Sequence, residues 1–156
     1  MKTKMEIKIR KARRTDAKEI LRLIVELAEF EKLTPPGIKE QNRLIKHAFS
    51  KNPYYRILLA LNAGKVIAYA FYYFTYSSFL AKRSLYLEDV YVCSAHRGTG
   101  AGKLLMNKLI RIARKEKCGR MEWIVLDWNQ NAINFYERLG AKEMKEWKFF
   151  RMNFHN

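Results

Sequence analysis

The chain has 156 residues, of which 49% are hydrophobic and 13% aromatic. This composition excludes an intrinsically disordered chain and fits a single domain, residues 1–156, with a hydrophobic core. The formal net charge of +16 favours an anionic partner or a lysine-rich solvated surface. No apolar run reaches membrane-spanning length and the first residues lack a signal-peptide core, which predicts a cytoplasmic protein without a membrane partner.

The hydrophobic periodicity predicts an α/β chain with the element order β-α-α-β-β-β-α-β-α-β. Alternating residues predict a first strand at 5–12, and helical spacing predicts helices near 16–30 and 38–49. A run rich in aromatic and β-branched residues then predicts strands at 55–61, 66–76 and 85–92. The remaining predicted elements are a helix at 101–117, a strand at 121–126, a short helix at 131–138 and a last strand at 143–154.

The cysteines and histidines indicate neither a disulfide nor a metal site. Cys93 and Cys118 form no C-x-x-C pair, and His47, His96 and His155 lack the spacing of metal ligands. We therefore predict two reduced thiols and no metal.

A glycine-rich turn joins the predicted strand at 85–92 to the following helix. Gly98, Gly100 and Gly102 alternate through it, so that several backbone N–H groups point at one spot near the helix N-terminus, which is typical of a phosphate site. A P-loop would need Ser or Thr where Leu104 stands, and a dinucleotide fingerprint would need glycine where Lys103 stands. A flexible glycine-rich connection is the structural alternative.

The order Arg97-Gly98-Thr99-Gly100-Ala101-Gly102 has the form R-x-x-G-x-G. It resembles the acetyl-CoA pyrophosphate loop of the GNAT N-acetyltransferases. That resemblance implies a mostly antiparallel, twisted sheet of six to seven strands with helices on both faces. It also implies acetyl-CoA as cofactor, held by loop residues and by the strand before them: Val90, Tyr91, Val92, Arg97, Gly98, Thr99, Gly100, Ala101, Gly102 and Lys103.

A second motif, N-x-x-A-x-x-F-Y-x-x-x-G, runs from Asn129 to Gly140. It resembles the other signature of the same family, and the resemblance adds Asn129 and Ala132 to the cofactor contacts. Each residue also has an ordinary structural interpretation: Asn129 as a helix cap, and Tyr136 as an amphipathic aromatic. Two motifs in matching strand–helix context favour the family.

Acetyl transfer to an amine needs a proton acceptor, because an alkyl ammonium has a pKa near 10, and a donor for the departing thiolate. Glu88 and Asp89 are acids in an otherwise apolar predicted strand, where adjacent residues point to opposite faces unless a bulge intervenes. The resemblance implies such a bulge and makes Tyr136 the general acid. Glu88 is our choice of base, acting through water.

Longer stretches, among them LYLEDVYV and WNQNAINFYERLGA, resemble the diamine acetyltransferases and the related thialysine acetyltransferases. This closer resemblance implies a homodimer and a substrate cleft lined by Phe30, Glu31, Glu88, Asp89, Glu122, Trp123, Ile124 and Glu146. Ser77, Ser78 and Phe79 depart from the polyamine enzymes, which have an acidic residue and a tryptophan there.

Three functions follow in order of preference. The first is transfer of acetyl from acetyl-CoA, by direct attack in a ternary complex, to a small diamine, polyamine or lysine-like amine. The second is acetylation of a protein N-terminus or lysine side chain. The third is a basic nucleic-acid-binding or CoA-binding module without catalysis, which the lack of any nucleic-acid-binding motif disfavours despite the charge of +16.

Overall fold

A computed structural model describes residues 6–154. The chain forms two compact units, the first ending at Ile124 and the second beginning at Val125. The elements of the first unit are β1 (Ile7–Lys11), α1 (Ala17–Phe30), α2 (Ile38–Ala48), β2 (Arg56–Asn62), β3 (Lys65–Ser77), β4 (Lys82–Val92), α3 (Ala101–Lys115) and β5 (Arg120–Glu122). The second unit contains α4 (Gln130–Arg138). That the whole chain is one domain stays a prediction.

The strands form one sheet in the order β1-β2-β3-β4-β5. Neighbouring strands are antiparallel except β4 and β5, which are parallel. The mixed α/β class and the mostly antiparallel sheet are therefore confirmed. The described residues contain five strands, so the expected six to seven were too many.

The strand predicted at 143–154 is wrong. These residues are in neither helix nor strand, and most of their large apolar side chains, including Trp147 and Phe150, are exposed. Alternating apolar residues are not sufficient for a strand, because the backbone groups also need a ladder partner. The strand predicted at 121–126 is shorter than expected for the same reason, since only Arg120–Glu122 pair with β4.

Both faces of the sheet are covered by helices. The run Ile57–Ala60 is buried at every position, although its side chains alternate between the two faces. On one face Ile57, Leu59 and Tyr69 pack with α1. The helix α3, whose Leu105 and Leu109 are fully buried, packs on β1 to β4 and covers the other face. The two layers hold between them β4, the strand that carries Glu88 and Asp89.

No helix within residues 6–154 combines the length and apolarity that a bilayer span requires. Cys93 and Cys118 are both free thiols.

Candidate active site

A β-bulge in β4 lies at the two acids. Phe71 of β3 pairs with Asp89, but the next residue, Tyr72, pairs with Leu87, so Glu88 is the extra residue. The bulge confirms the expectation that this strand is irregular. It also interrupts the alternation that would otherwise send Glu88 and Asp89 to opposite faces.

Two tyrosines of β3 show that both acids reach the same face. The Tyr69 hydroxyl donates to Asp89 Oδ2 at 3.0 Å, and the Tyr73 hydroxyl donates to Glu88 Oε2 at 3.2 Å. Tyr69 and Tyr73 are four residues apart on a strand, and therefore project from one face. Neither tyrosine was among the predicted site residues, because the sequence pattern placed both only in the aromatic-rich strand at 66–76.

Asp89 is a carboxyl group with an unusual environment. Burial raises its pKa to about 7; the Tyr69 hydrogen bond opposes this shift, and the negative charges of Glu88 and Glu31 add to it. Glu88, in contrast, is exposed. Asp89 is thus the acid whose protonation changes near neutral pH.

The tyrosine hydroxyls stay protonated over the same range. Burial raises the pKa of Tyr73 to about 12, with the charge of Glu88 adding to the effect. Burial also raises the pKa of Tyr69 well above its ordinary value, and the Asp89 charge contributes. Both hydroxyls therefore act as hydrogen-bond donors to carboxylates at neutral pH.

The C-terminal end of α1 lies against the C-terminal end of β4. The Arg97 guanidinium is 4.7 Å from the Phe30 ring centre and 5.8 Å from that of Tyr91, and the two rings are 6.4 Å apart. Glu31 follows Phe30 and is half-buried, which raises its pKa. Of these two predicted substrate residues, Glu31 is near enough for its charge to act on Asp89. Phe30 instead packs against Arg97, which precedes the first glycine of the loop.

The glycine loop has the geometry of an anion site. Gly98 and Gly100 have φ of +76° and +88°. On either, no heavy atom beyond the glycine and its two chain neighbours lies within 4 Å of where a Cβ would stand. Gly100 is the N-cap of α3 and supplies no side-chain cap to the first helical amides. The first amides of α3, from Ala101 onward, therefore remain suited to a phosphate group. These residues fit the pyrophosphate of acetyl-CoA.

After Glu88 and Asp89, β4 is no longer paired with β5. Its pairing with β5 covers only Ser84–Tyr86, so the segment that contains Val90, Tyr91 and Val92 has no strand partner on that side among residues 6–154. An open strand edge offers backbone hydrogen-bonding groups to an extended ligand. The open edge lies at the strand residues that the resemblance assigns to acetyl-CoA contacts.

Glu122 ends β5 and pairs with Tyr86, and its carboxylate accepts a hydrogen bond from Arg120 Nε at 2.9 Å. Trp123 and Ile124 follow it directly. The negative charge of Glu122 is therefore paired with Arg120, whereas Glu88 and Asp89 accept hydrogen bonds from tyrosines.

The second unit carries the other predicted residues. Asn129 Oδ1 accepts from the Ala132 N–H at 3.3 Å, so Asn129 caps α4, which is the structural alternative for it. Tyr136 lies on α4 with its ring centre 5.5 Å from that of Phe135. Glu146 lies in the exposed segment after the helix. The roles assigned to Asn129, Ala132, Tyr136 and Glu146 stay predictions.

A further cleft was not predicted from the sequence. It has a volume of about 1030 Å³ and lies between α1, the β2–β3 turn and the residues just before Gly98. In its lining, Arg22 contacts Glu19 at 2.8 Å, Glu26 at 2.5 Å and the Val66 carbonyl at 3.1 Å. The i, i+3 and i+4 spacing of these charges was the available signal. Glu88 and Asp89 do not line this cleft.

Comparison with known proteins gives the family. The model of the Acetyltransferase (GNAT) family matches residues 18–141. Thialysine N-epsilon-acetyltransferase of Mus musculus is 37% identical over 92% of this chain and 91% of its own. Spermidine/spermine N(1)-acetyltransferase-like protein 1 of Homo sapiens is 39% identical over 93% of this chain and 22% of its own.

Solved structures agree on the fold. A possible acetyltransferase from Clostridium difficile 630 superposes with a TM-score of 0.84 at 23% identity, covering 96% of this chain and 99% of its own. The bulged β4, the glycine loop and these matches lead to one conclusion: the chain is an acetyl-transfer enzyme and belongs to the GNAT acetyltransferase family.

Proposed function

We propose that this enzyme moves the acetyl group of acetyl-CoA to a primary amine of a small cation, which is a diamine, a polyamine or a lysine-like amine. The observation that carries the proposal is the acidic cluster, defined as Glu31, Glu88 and Asp89, close to a glycine loop suited to phosphate. The cluster attracts a cation in a chain whose net charge is +16. A small amine with one or two charges matches three carboxyl groups.

Asp89 suits proton acceptance. An alkyl ammonium has a pKa of about 10.4, so a carboxylate with an ordinary pKa of about 3.9 is a weak acceptor for its proton. The pKa of Asp89 is about 7, which is about three units closer to the pKa of the ammonium than an ordinary carboxylate has. We assign proton acceptance to the pair of Glu88 and Asp89, with water between Glu88 and the amine if Glu88 is the base.

Acetyl-CoA supplies the activated acetyl thioester. The amides at the start of α3, together with Arg97 and Thr99, are the groups proposed to hold its pyrophosphate. Val90, Tyr91 and Val92, on the open edge of β4, are proposed to bind its extended arm. Tyr136 is proposed to donate the proton to the departing sulfur. The homodimer and the cytoplasmic location belong to the same proposal. The first rests on resemblance to the diamine enzymes, and the second on the sequence pattern, which has no signal-peptide core or membrane-length apolar run.

The names of the relatives limit the choice of amine substrate but do not identify one. Their names specify thialysine and spermidine or spermine. Ser77, Ser78 and Phe79 replace the acidic and tryptophan residues of the polyamine enzymes, and Phe79 is 96% exposed. Fewer acids favour a short, lysine-like amine over a long polyamine.

The test is a thiol-release assay with acetyl-CoA and a panel of thialysine, lysine, ornithine, putrescine, spermidine, spermine and short peptides. We expect the highest kcat/KM with a lysine-like amine or a short diamine. Release of thiol with peptides and not with free amines would replace this proposal by peptide acetylation. No release with any amine would contradict it.

A further inference from the structure

A second cleft lies on the α3 side of the sheet, and we call it the basic cleft. It has a volume of about 340 Å³, and its lining includes the aromatic residues Tyr72 and Phe74. Six cationic side chains line it: Lys11, Arg56, Arg83, Lys108, Arg111 and Lys115. This is a concave concentration of positive charge that acetyl transfer to a cation does not explain.

The fold brings these cations together from four elements. Lys11 is on β1, Arg56 on β2 and Arg83 on β4. The other three are on α3 at positions i, i+3 and i+7, which places them along one side of the helix. The basic cleft is therefore absent from the sequence as a motif.

Little negative charge compensates the cluster. Glu116 is the one acid in the lining, and it is already paired with Arg83, whose guanidinium is 2.7 Å from Glu116 Oε2 and 4.9 Å from the Phe74 ring centre. Among residues 6–154, no carboxylate forms an ion pair with any of the other five cations. Cations near the C-terminus of α3 would stabilise the helix dipole, but that explains Lys115 and not Lys11, Arg56 or Lys108.

We propose that the basic cleft binds a compact polyphosphate anion, a small molecule that carries two or more neighbouring phosphate groups. Three arginines offer the planar donor pairs that match phosphate oxygens, and three lysines add point charges. A volume of about 340 Å³ is that of a small-molecule pocket, and the cations surround one concavity instead of following a long track such as nucleic acid requires.

This site is separate from the glycine loop. On α3 the cleft residue nearest to the loop is Lys108, eight residues after Gly100, which is about 12 Å along an α-helix. One ligand phosphate group held at the loop does not reach the basic cleft. The proposed site is thus distinct from the anion site at the glycine loop.

The test measures binding of inorganic tripolyphosphate to the full-length protein by calorimetry in 0.15 M salt. The key variant is Arg111→Glu, with Lys115→Glu as a second variant in the same cleft. The matched control is Arg114→Glu, which changes the same charge on an exposed position of the same helix and does not line the cleft. Gly100→Glu reports on the glycine loop. Circular dichroism checks the fold of each variant.

We expect Arg111→Glu and Lys115→Glu each to weaken tripolyphosphate binding about tenfold or more, and Arg114→Glu and Gly100→Glu to change it less than about threefold. Equal weakening by Arg114→Glu would mean that only net charge matters, and would overturn the proposal. Loss of binding in Gly100→Glu alone would place the anion at the loop. Absence of binding, or binding of a single-stranded oligonucleotide that tripolyphosphate does not displace, would also overturn it.

Discussion

Between Glu88 and Gly100 the chain passes from a surface suited to cations to one suited to anions. The first is made of side chains: two carboxylates at a bulge, each accepting a hydrogen bond from a tyrosine of β3. The second is made mainly of backbone: two glycines with positive φ and the amides that begin α3. A bisubstrate enzyme for a cationic amine and an anionic cofactor needs both surfaces close together.

The comparison also shows how little net charge says about a site. The chain as a whole carries +16, yet burial, with the negative charges of Glu88 and Glu31 adding to it, raises the pKa of Asp89 to about 7. Salt screens exposed charges beyond about 8–10 Å, so the neighbours of Asp89 outweigh the distant lysines.

The largest effect is expected from Gly100→Glu, which damages the anion surface. Gly100 has φ of +88° and caps α3, so the substitution strains the backbone and places a carboxylate where phosphate is expected. We expect acetyl-CoA affinity to fall more than about 100-fold, measured by calorimetry.

Gly64→Glu is the matched control for that variant. Gly64 has φ of +77° with open space around it and lies in the β2–β3 turn, so it carries similar strain without a role in the loop. Acetyl-CoA binding by Gly64→Glu should stay within about threefold of wild type. Equal losses in both variants would show that strain, not the anion site, was the cause.

Tyr136→Phe tests the chemical step separately from the cation and anion surfaces. Loss of the hydroxyl removes the proposed proton donor to sulfur while keeping the ring. We expect kcat to fall about 100-fold with the acetyl-CoA dissociation constant unchanged. Steady-state kinetics combined with calorimetry measures both quantities. Wild-type turnover in this variant would remove Tyr136 from the mechanism.

The two surfaces differ in how far the sequence predicts them. Spacing alone predicts the glycine loop, because positive φ and helix N-termini are properties of the backbone at fixed positions. The acids were found, and the bulge was expected from resemblance, but their environment was not predicted. The pKa of Asp89 depends first on its burial, then on Tyr69, which is 20 residues away, and on Glu31 at the end of α1. The prediction of a last strand at 143–154 was wrong because alternating apolar residues do not supply a neighbouring strand for hydrogen bonding.

Asp89→Asn and Glu88→Gln separate the two acids at the cation surface. If Asp89 accepts the proton, it must be ionised, so wild-type kcat/KM should rise with pH up to about 7 and level off above it. Asp89→Asn should lower kcat about 30-fold and remove this rise of kcat/KM with pH, which we call the activity limb. Glu88→Gln should keep the limb and lower kcat less. If Glu88→Gln removes the limb and Asp89→Asn keeps it, Glu88 is the base.

The smallest effect is expected from Glu31→Gln, which adjusts the cation surface without touching the proposed base. The charge of Glu31 raises the pKa of Asp89, so its removal should lower that pKa and shift the activity limb to lower pH. The loss of one carboxylate should also raise KM for a doubly charged amine about threefold. Glu29→Gln is the control, because it removes the same charge two residues earlier and Glu29 does not contribute to the pKa shift of Asp89. Profiles of kcat/KM against pH for a diamine should separate the two variants. A shift of equal size in both would mean that the limb responds to overall charge, and that the acidic cluster does not act as a unit.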